Sequence, residues 1–194
     1  MSSKPLKIFV EGKADRKFVA DFIRFLFEIN YLDEIINLDG KDGIAKAKNT
    51  FNENTDMNGT NLLIFDADED FKIKFAELNR IKAELEINFE IFLFPDNNDK
   101  GELEHLLSNI ILIKNKKIFD CFEDYQKCLK VDDRFRVPVL KTKIYAYTHT
   151  LLSKENEKFA KEDERDYLNK EHWDLSNSYL NPLKEFLNKY FTNN

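Results

Sequence analysis

Between Leu6 and Ile113 the chain alternates short β-rich runs with helix-length amphipathic runs, and this alternation leaves few architectures open. Leu6–Val10, Ile35–Leu38, Asn61–Phe65 and Glu90–Phe94 read as strands, while Ala14–Asn30, Gly43–Asn52 and Phe71–Ile87 carry helical patterns. A strand that is followed by a helix and then another strand pairs in parallel, because the helix provides the crossover. The expected fold is therefore α/β, with a central parallel sheet of about four strands flanked by helices. The 18 Phe residues supply bulky core material, and five Gly with four Pro are too few for the many tight turns of an all-β fold.

Gly101–Ile113 resumes a helical pattern after the polar break Pro95–Lys100. Beyond it, Ile118, Phe122, Tyr125 and Leu129 form an apolar stripe, and Lys141–Leu152 and Asn177–Phe191 read as further helices. Cys121 and Cys128 lie beside that stripe and read as reduced core residues. Ser153–His172 is dense in alternating charge and reads as an exposed loop, a solvated helix or a mobile lid. A chain of 194 residues fits one structural domain, with residues 1–113 as the core and 114–194 as a helical extension packed on it.

Met1-Ser2-Ser3-Lys4-Pro5 leads straight into the first strand with no secretory pattern, and no apolar run approaches the length of a membrane span, so a cytoplasmic protein is expected. The net charge of -6 gives no global attraction to nucleic acid or to an anionic membrane. Any contact with nucleic acid needs a local patch. Lys114–Lys143 is the candidate, with nine Lys/Arg (Lys114, Lys116, Lys117, Lys127, Lys130, Arg134, Arg136, Lys141, Lys143) against five Asp/Glu. A solvated helical face explains most of those lysines as well. A protein partner is the other class of partner the chain allows.

Two constellations carry chemistry. Phe9-Val10-Glu11-Gly12 ends an apolar strand in a carboxylate just before a helix, and ligands of open α/β sheets bind at the carboxyl ends of strands. Gly12 permits a tight turn there, and Asp15 reads as a first-turn acid that complements the helix dipole. The Gly12-Lys13 pair lacks the other residues of a phosphate-binding P-loop. Asn61–Phe65 is followed by Asp66-Ala67-Asp68-Glu69-Asp70. If strand geometry persists, Asp66 and Asp68 point to one side, roughly 6–7 Å apart. Carboxylates that close repel unless a cation or a proton lies between them, and an oxygen-only site favours Mg²⁺ or Mn²⁺. Asp70 has two readings, a further ligand or the cap of the Phe71 helix.

Val10-Glu11-Gly12-x-x-Asp15, followed by a strand ending Asp66-x-Asp68, resembles the Toprim domain. That domain is shared by type IA and type II topoisomerases, bacterial primases, recombination-mediator proteins and the overcoming-lysogenization-defect nucleases. Phe92-Leu93-Phe94-Pro95-x-Asn97, Gly101-x-Leu103-Glu104-x-Leu106-Leu107, Cys121-Phe122-x-x-Tyr125-x-x-Cys128-Leu129 and Lys141-x-Lys143-Ile144-Tyr145-Ala146-Tyr147 are similar to a group of short, uncharacterised bacterial Toprim-like proteins.

The resemblance implies acid/base work for Glu11 and metal binding by Asp66 and Asp68, with Mg²⁺ or Mn²⁺ as cofactor. By the same resemblance Glu104 completes a second metal site, although a first-turn acid that stabilises its own helix explains it equally well. Lys141 and Lys143 are the candidates for holding negative charge on a phosphate. No topoisomerase-type tyrosine is identifiable. The implied activity is metal-dependent phosphodiester cleavage of nucleic acid by a Toprim-type nuclease. A haloacid-dehalogenase-like phosphatase, suggested by Ile64-Phe65-Asp66-Ala67-Asp68, would need that motif on the first strand, whereas here it ends the third. A Toprim-like adaptor that binds metal and a nucleotide or protein without turnover is the non-enzymatic alternative.

Overall fold

The structure is a computed structural model that describes residues 4–191. The first and last three residues, including the Met1–Ser3 lead-in, lie outside the described residues. Four strands, β1 (Leu6–Val10), β2 (Ile35–Asn37), β3 (Thr60–Asp66) and β4 (Glu90–Phe94), form one all-parallel sheet in the order β2-β1-β3-β4. The connections are α1 (Lys13–Phe27), then α2 (Asp42–Lys46) with α3 (Lys48–Asp56), then α4 (Phe71–Glu84). The single helix expected over Gly43–Asn52 is kinked into α2 and α3 at Ala47, whose φ of -87° and ψ of 3° depart from the helical values.

Strand alternation distributes the core between two faces. Ile8, Val10, Leu62, Ile64, Phe92 and Phe94 share one apolar cluster with Phe18 and Phe22 of α1. The same cluster takes in Leu106 of α5 (Leu103–Asn109), Ile144 and Tyr147 of α7 (Leu140–Leu151), and Leu183 and Leu187 of α8 (Asn181–Phe191). Phe9, Leu63, Phe65 and Leu93 face the other way, onto Ile44 of α2, Phe51 of α3 and Leu78 of α4. A sheet covered on both faces explains why its strands read as continuous apolar runs.

The C-terminal region differs from the sequence expectation in two places. Cys121 and Cys128 of α6 (Lys116–Leu129) are exposed thiols, not core residues. The helix buries Phe119 against Tyr147 instead, so the expected stripe sits half out of the core and Tyr125 is exposed. Ser153–His172 is not an exposed loop throughout. Arg165 and Tyr167 are buried, the Tyr167 ring packs edge-on to Phe18 at 5.1 Å, and its backbone N–H donates to Asp21 at 3.0 Å. These contacts outweigh the charges around them and pin the segment down. Trp173 and Tyr147 are core anchors, whereas Tyr145 is exposed. No helix among the described residues is long and apolar enough to cross a membrane.

Candidate functional site

The strand order reverses direction between β1 and β3: β1 has β2 on one side, and the chain then returns to lay β3 on the other. In open α/β sheets the gap at such a switch point, beyond the carboxyl ends of the strands, is where ligands sit. Val10 pairs with Ile64, so Glu11 leaves the end of β1 level with Phe65, one residue short of Asp66 on the neighbouring strand. The Asp66 N–H donates to Glu11 Oε2 at 3.4 Å.

Alternation turns Asp66 to the face covered by α1 and α5. There its Oδ1 accepts the Leu103 N–H at 2.9 Å, which satisfies one of the free donors at the start of α5. Asp15, at the third position of α1, lies in the same neighbourhood and its Oδ2 accepts the Gly12 N–H at 2.7 Å. Gly12 is extended, with φ -137°, so its left-handed freedom is not used. A Cβ there would lie 3.2 Å from the Asp15 carboxylate, and the tight approach gives a reason for glycine. Glu104, in the first turn of α5, is buried.

The electrostatics show how crowded these groups are. Burial raises the Asp66 carboxyl to about 9, and the charges of Asp15, Glu11 and Glu104 add to the effect. Burial likewise lifts Asp15 to about 7 against the pull of its Gly12 bond, with Glu11, Glu104 and Glu162 contributing. Glu11 and Glu104 are both raised, again mainly by burial. Carboxylates this crowded keep at least one proton near neutral pH unless a cation lies among them.

Asp68 does not share this side. Its φ of 53° ends the strand geometry, and its backbone exchanges two hydrogen bonds with Gly101, Asp68 N to Gly101 O at 3.0 Å and Gly101 N to Asp68 O at 2.8 Å. The carboxylate is redirected to Lys74 of α4, whose Nζ lies 2.7 Å from Asp68 Oδ2 and 4.0 Å from Glu11 Oε2. Asp70 acts as the cap of α4, its Oδ1 accepting from Lys72 N at 2.8 Å and Ile73 N at 3.0 Å, the second of the two readings its sequence position allowed.

Lys141 and Lys143 part company. Lys141 pairs with Glu162 at 2.6 Å and feels the charges of Glu104 and Asp15, which puts it on the rim of the carboxylate group. Lys143 is buried, bonded to Glu123 at 2.6 Å and set over the Phe119 ring at 4.2 Å. Its ammonium is engaged in the α6–α7 contact, away from the carboxyls at the sheet edge. Of the nine basic residues in Lys114–Lys143, six are matched by carboxylates: Lys114 by Glu171, Lys116 by Asp120, Lys127 by Asp124, Arg134 by Asp132, Lys141 by Glu162 and Lys143 by Glu123. Among the described residues Lys117, Lys130 and Arg136 stand outside any ion pair.

Sequence reasoning missed Asp15 as a member of the site and missed Lys74 altogether. The spacing Glu11-x-x-x-Asp15, a strand-end acid followed one helical turn later by a second, is the signal for the first. Among the described residues no three His, Cys, Asp or Glu side chains are drawn together closely enough to hold an ion as they stand. The donor set nevertheless fits a hard cation in kind: Glu11, Asp15, Asp66 and Glu104 offer only carboxylate oxygens, and burial raises the pKa of each.

The fold is that of a doubly wound α/β protein, with buried carboxyls near its switch point. The family described as "Protein of unknown function (DUF3226)" matches residues 5–192, nearly the whole chain, and the protein belongs to that family. Comparison with curated proteins and with solved structures gave no match.

Proposed function

We propose that the protein is an Mg²⁺- or Mn²⁺-dependent phosphoryl-transfer enzyme, a Toprim-type nuclease acting on nucleic acid in the cytoplasm. The observation that carries this reading is a set of carboxyls at the switch-point edge whose pKa values are all raised, chiefly by burial: Asp66, Asp15 and Glu104 on the face covered by α1 and α5, and Glu11 at the end of β1, which accepts the Asp66 N–H. A divalent ion bound there would neutralise a phosphate and stabilise the leaving oxygen. Glu11 is suited to carry a proton: burial raises its pKa, and Lys74 limits the rise. Asp66, fixed by the Leu103 N–H, and Asp15, fixed by the Gly12 N–H, are oriented donors. Lys141 on the rim is the residue positioned to meet an incoming phosphate once it leaves Glu162.

Incubation of end-labelled single- and double-stranded DNA and RNA with Mg²⁺ or Mn²⁺ tests the reading. Cleavage that disappears with chelator and in Glu11→Gln and Asp66→Asn supports it. Cleavage that survives both substitutions belongs to a contaminant.

A second reading, a Toprim-like adaptor that binds a nucleotide or protein partner without turnover, is favoured by a separate observation. Lys74 already neutralises part of the edge, and six of the nine basic residues in the candidate nucleic-acid patch are paired internally. Binding of metal with no cleavage of any of the four substrates selects this reading.

A further inference from the structure

Lys74 is a buried cation paired with two carboxylates of this edge. It lies in the first turns of α4, is only 7% exposed, and its Nζ sits over the Phe65 ring at 5.9 Å, 2.7 Å from Asp68 Oδ2 and 4.0 Å from Glu11 Oε2. A lysine whose stem is covered and whose ammonium is turned back to the sheet edge has lost most of its side-chain freedom and much of its hydration. A surface ion pair does neither. The ammonium occupies the space toward which Glu11 and Asp68 both present oxygens.

We infer that Lys74 is a built-in cation that stands in for a divalent ion on the Glu11–Asp68 side of the site and competes with it. This inference rests on the proposed metal site, extends it through Glu11 to Asp68, and adds a residue that sets its affinity. In the ion-free protein Lys74 holds Glu11 and Asp68 together. A divalent ion that takes oxygens from both must move the ammonium away, since the two like charges cannot share a space a few ångströms wide. Lys74 is a positioning residue in this account, acting through Glu11 and Asp68.

The experiment is a Mn²⁺ titration by calorimetry of the parent, Lys74→Met and Lys74→Arg, with thermal melting in chelator alongside. Met keeps the stem against Phe65 and removes the charge, whereas Arg keeps the charge. Lys74→Met is expected to bind Mn²⁺ at least about tenfold more tightly, a change of about 1.4 kcal/mol, and to melt lower than the parent without metal. Lys74→Arg is expected to stay within about threefold of the parent. Binding by Lys74→Met alone also supports the inference, because the parent's lysine then excludes the ion outright. Equal Mn²⁺ affinity in the parent and Lys74→Met overturns the inference and leaves the metal site standing. No Mn²⁺ binding by any of the three overturns both.

Should Lys74→Met not fold, lysine acylation of the parent followed by mass spectrometry gives the answer. Saturating Mg²⁺ should raise modification of Lys74 several-fold, by releasing a buried and paired amine. Unchanged modification with Mg²⁺ bound refutes the competition.

Discussion

Replacing Asp66 by Asn should stabilise the metal-free protein, and by more as pH rises. Asn keeps an oxygen for the Leu103 N–H at 2.9 Å and has nearly the same shape, so the change isolates charge. Below about pH 4 the Asp66 carboxyl is protonated in both folded and unfolded chains, and it contributes no penalty. Above that, the unfolded chain ionises while the folded one keeps its proton up to about 9, so stability falls with rising pH across that window. A shifted carboxyl loses about 1.4 kcal/mol per pH unit while this lasts. Asp15 and Asp66 share the crowding, which leaves about 1–3 kcal/mol for Asp66 itself at pH 8. For a chain of this size that corresponds to about 2–12 °C in Tm. Calorimetric or circular-dichroism melts in chelator at pH 5, 7 and 8.5 check the claim. The gain from Asp66→Asn should be small at pH 5 and largest at pH 8.5. A variant that melts below the parent at pH 8.5, or a difference that does not change with pH, refutes the reasoning.

Gly43→Ala should lower stability by roughly 3 kcal/mol or more, because the new Cβ would fall 1.8 Å from the Leu38 carbonyl oxygen; Gly40→Ala, with nothing within 4 Å but φ +92°, should cost only about 1 kcal/mol by urea titration. Cys121 and Cys128 should both react with a thiol reagent in the folded protein at rates close to those of the unfolded chain, and slow reaction would mean that α6 is covered. Lys143→Ala should lower Tm by stripping Glu123 and Phe119 of their partner, while any dependence of nucleic-acid binding on salt stays as in the parent. Substituting Lys117, Lys130 and Arg136 together should instead reduce that salt slope by up to about three units, which filter binding across a salt series measures.

The sheet was legible because its two central strands are buried on both faces and its edge strands still carry mostly apolar residues, so each reads as an apolar run. Glu11 and Asp66 were legible for a related reason: a charged residue that ends such a run has to lie at the sheet edge. The rest of the edge depends on contacts that local pattern does not encode. Asp15 looks like any first-turn acid until α1 docks beside Asp66. Asp68 was expected beside Asp66 by period-two alternation, but its turn is decided by pairing with Gly101, on the far side of β4 in sequence. Lys74 emerges only when α4 lies on Phe65. Tyr167 is fixed by Asp21, 146 residues away, so a segment whose charges suggested a solvated loop is anchored in the core. Cys121 and Cys128 failed as core residues because α6 presents Phe119, not the expected stripe, to the interior.

Whether the carboxylates at the β1–β3 switch point hold a divalent ion is tested most directly by Mn²⁺ titration at pH 8 of the parent, Glu11→Gln, Asp66→Asn and Asp70→Asn. The account predicts saturable binding by the parent, a loss of about tenfold or more in affinity for the first two variants, and parent-like affinity for Asp70→Asn, since Asn caps α4 as well as Asp does. Absence of binding at millimolar Mn²⁺, or equal affinity in all four proteins, would contradict it.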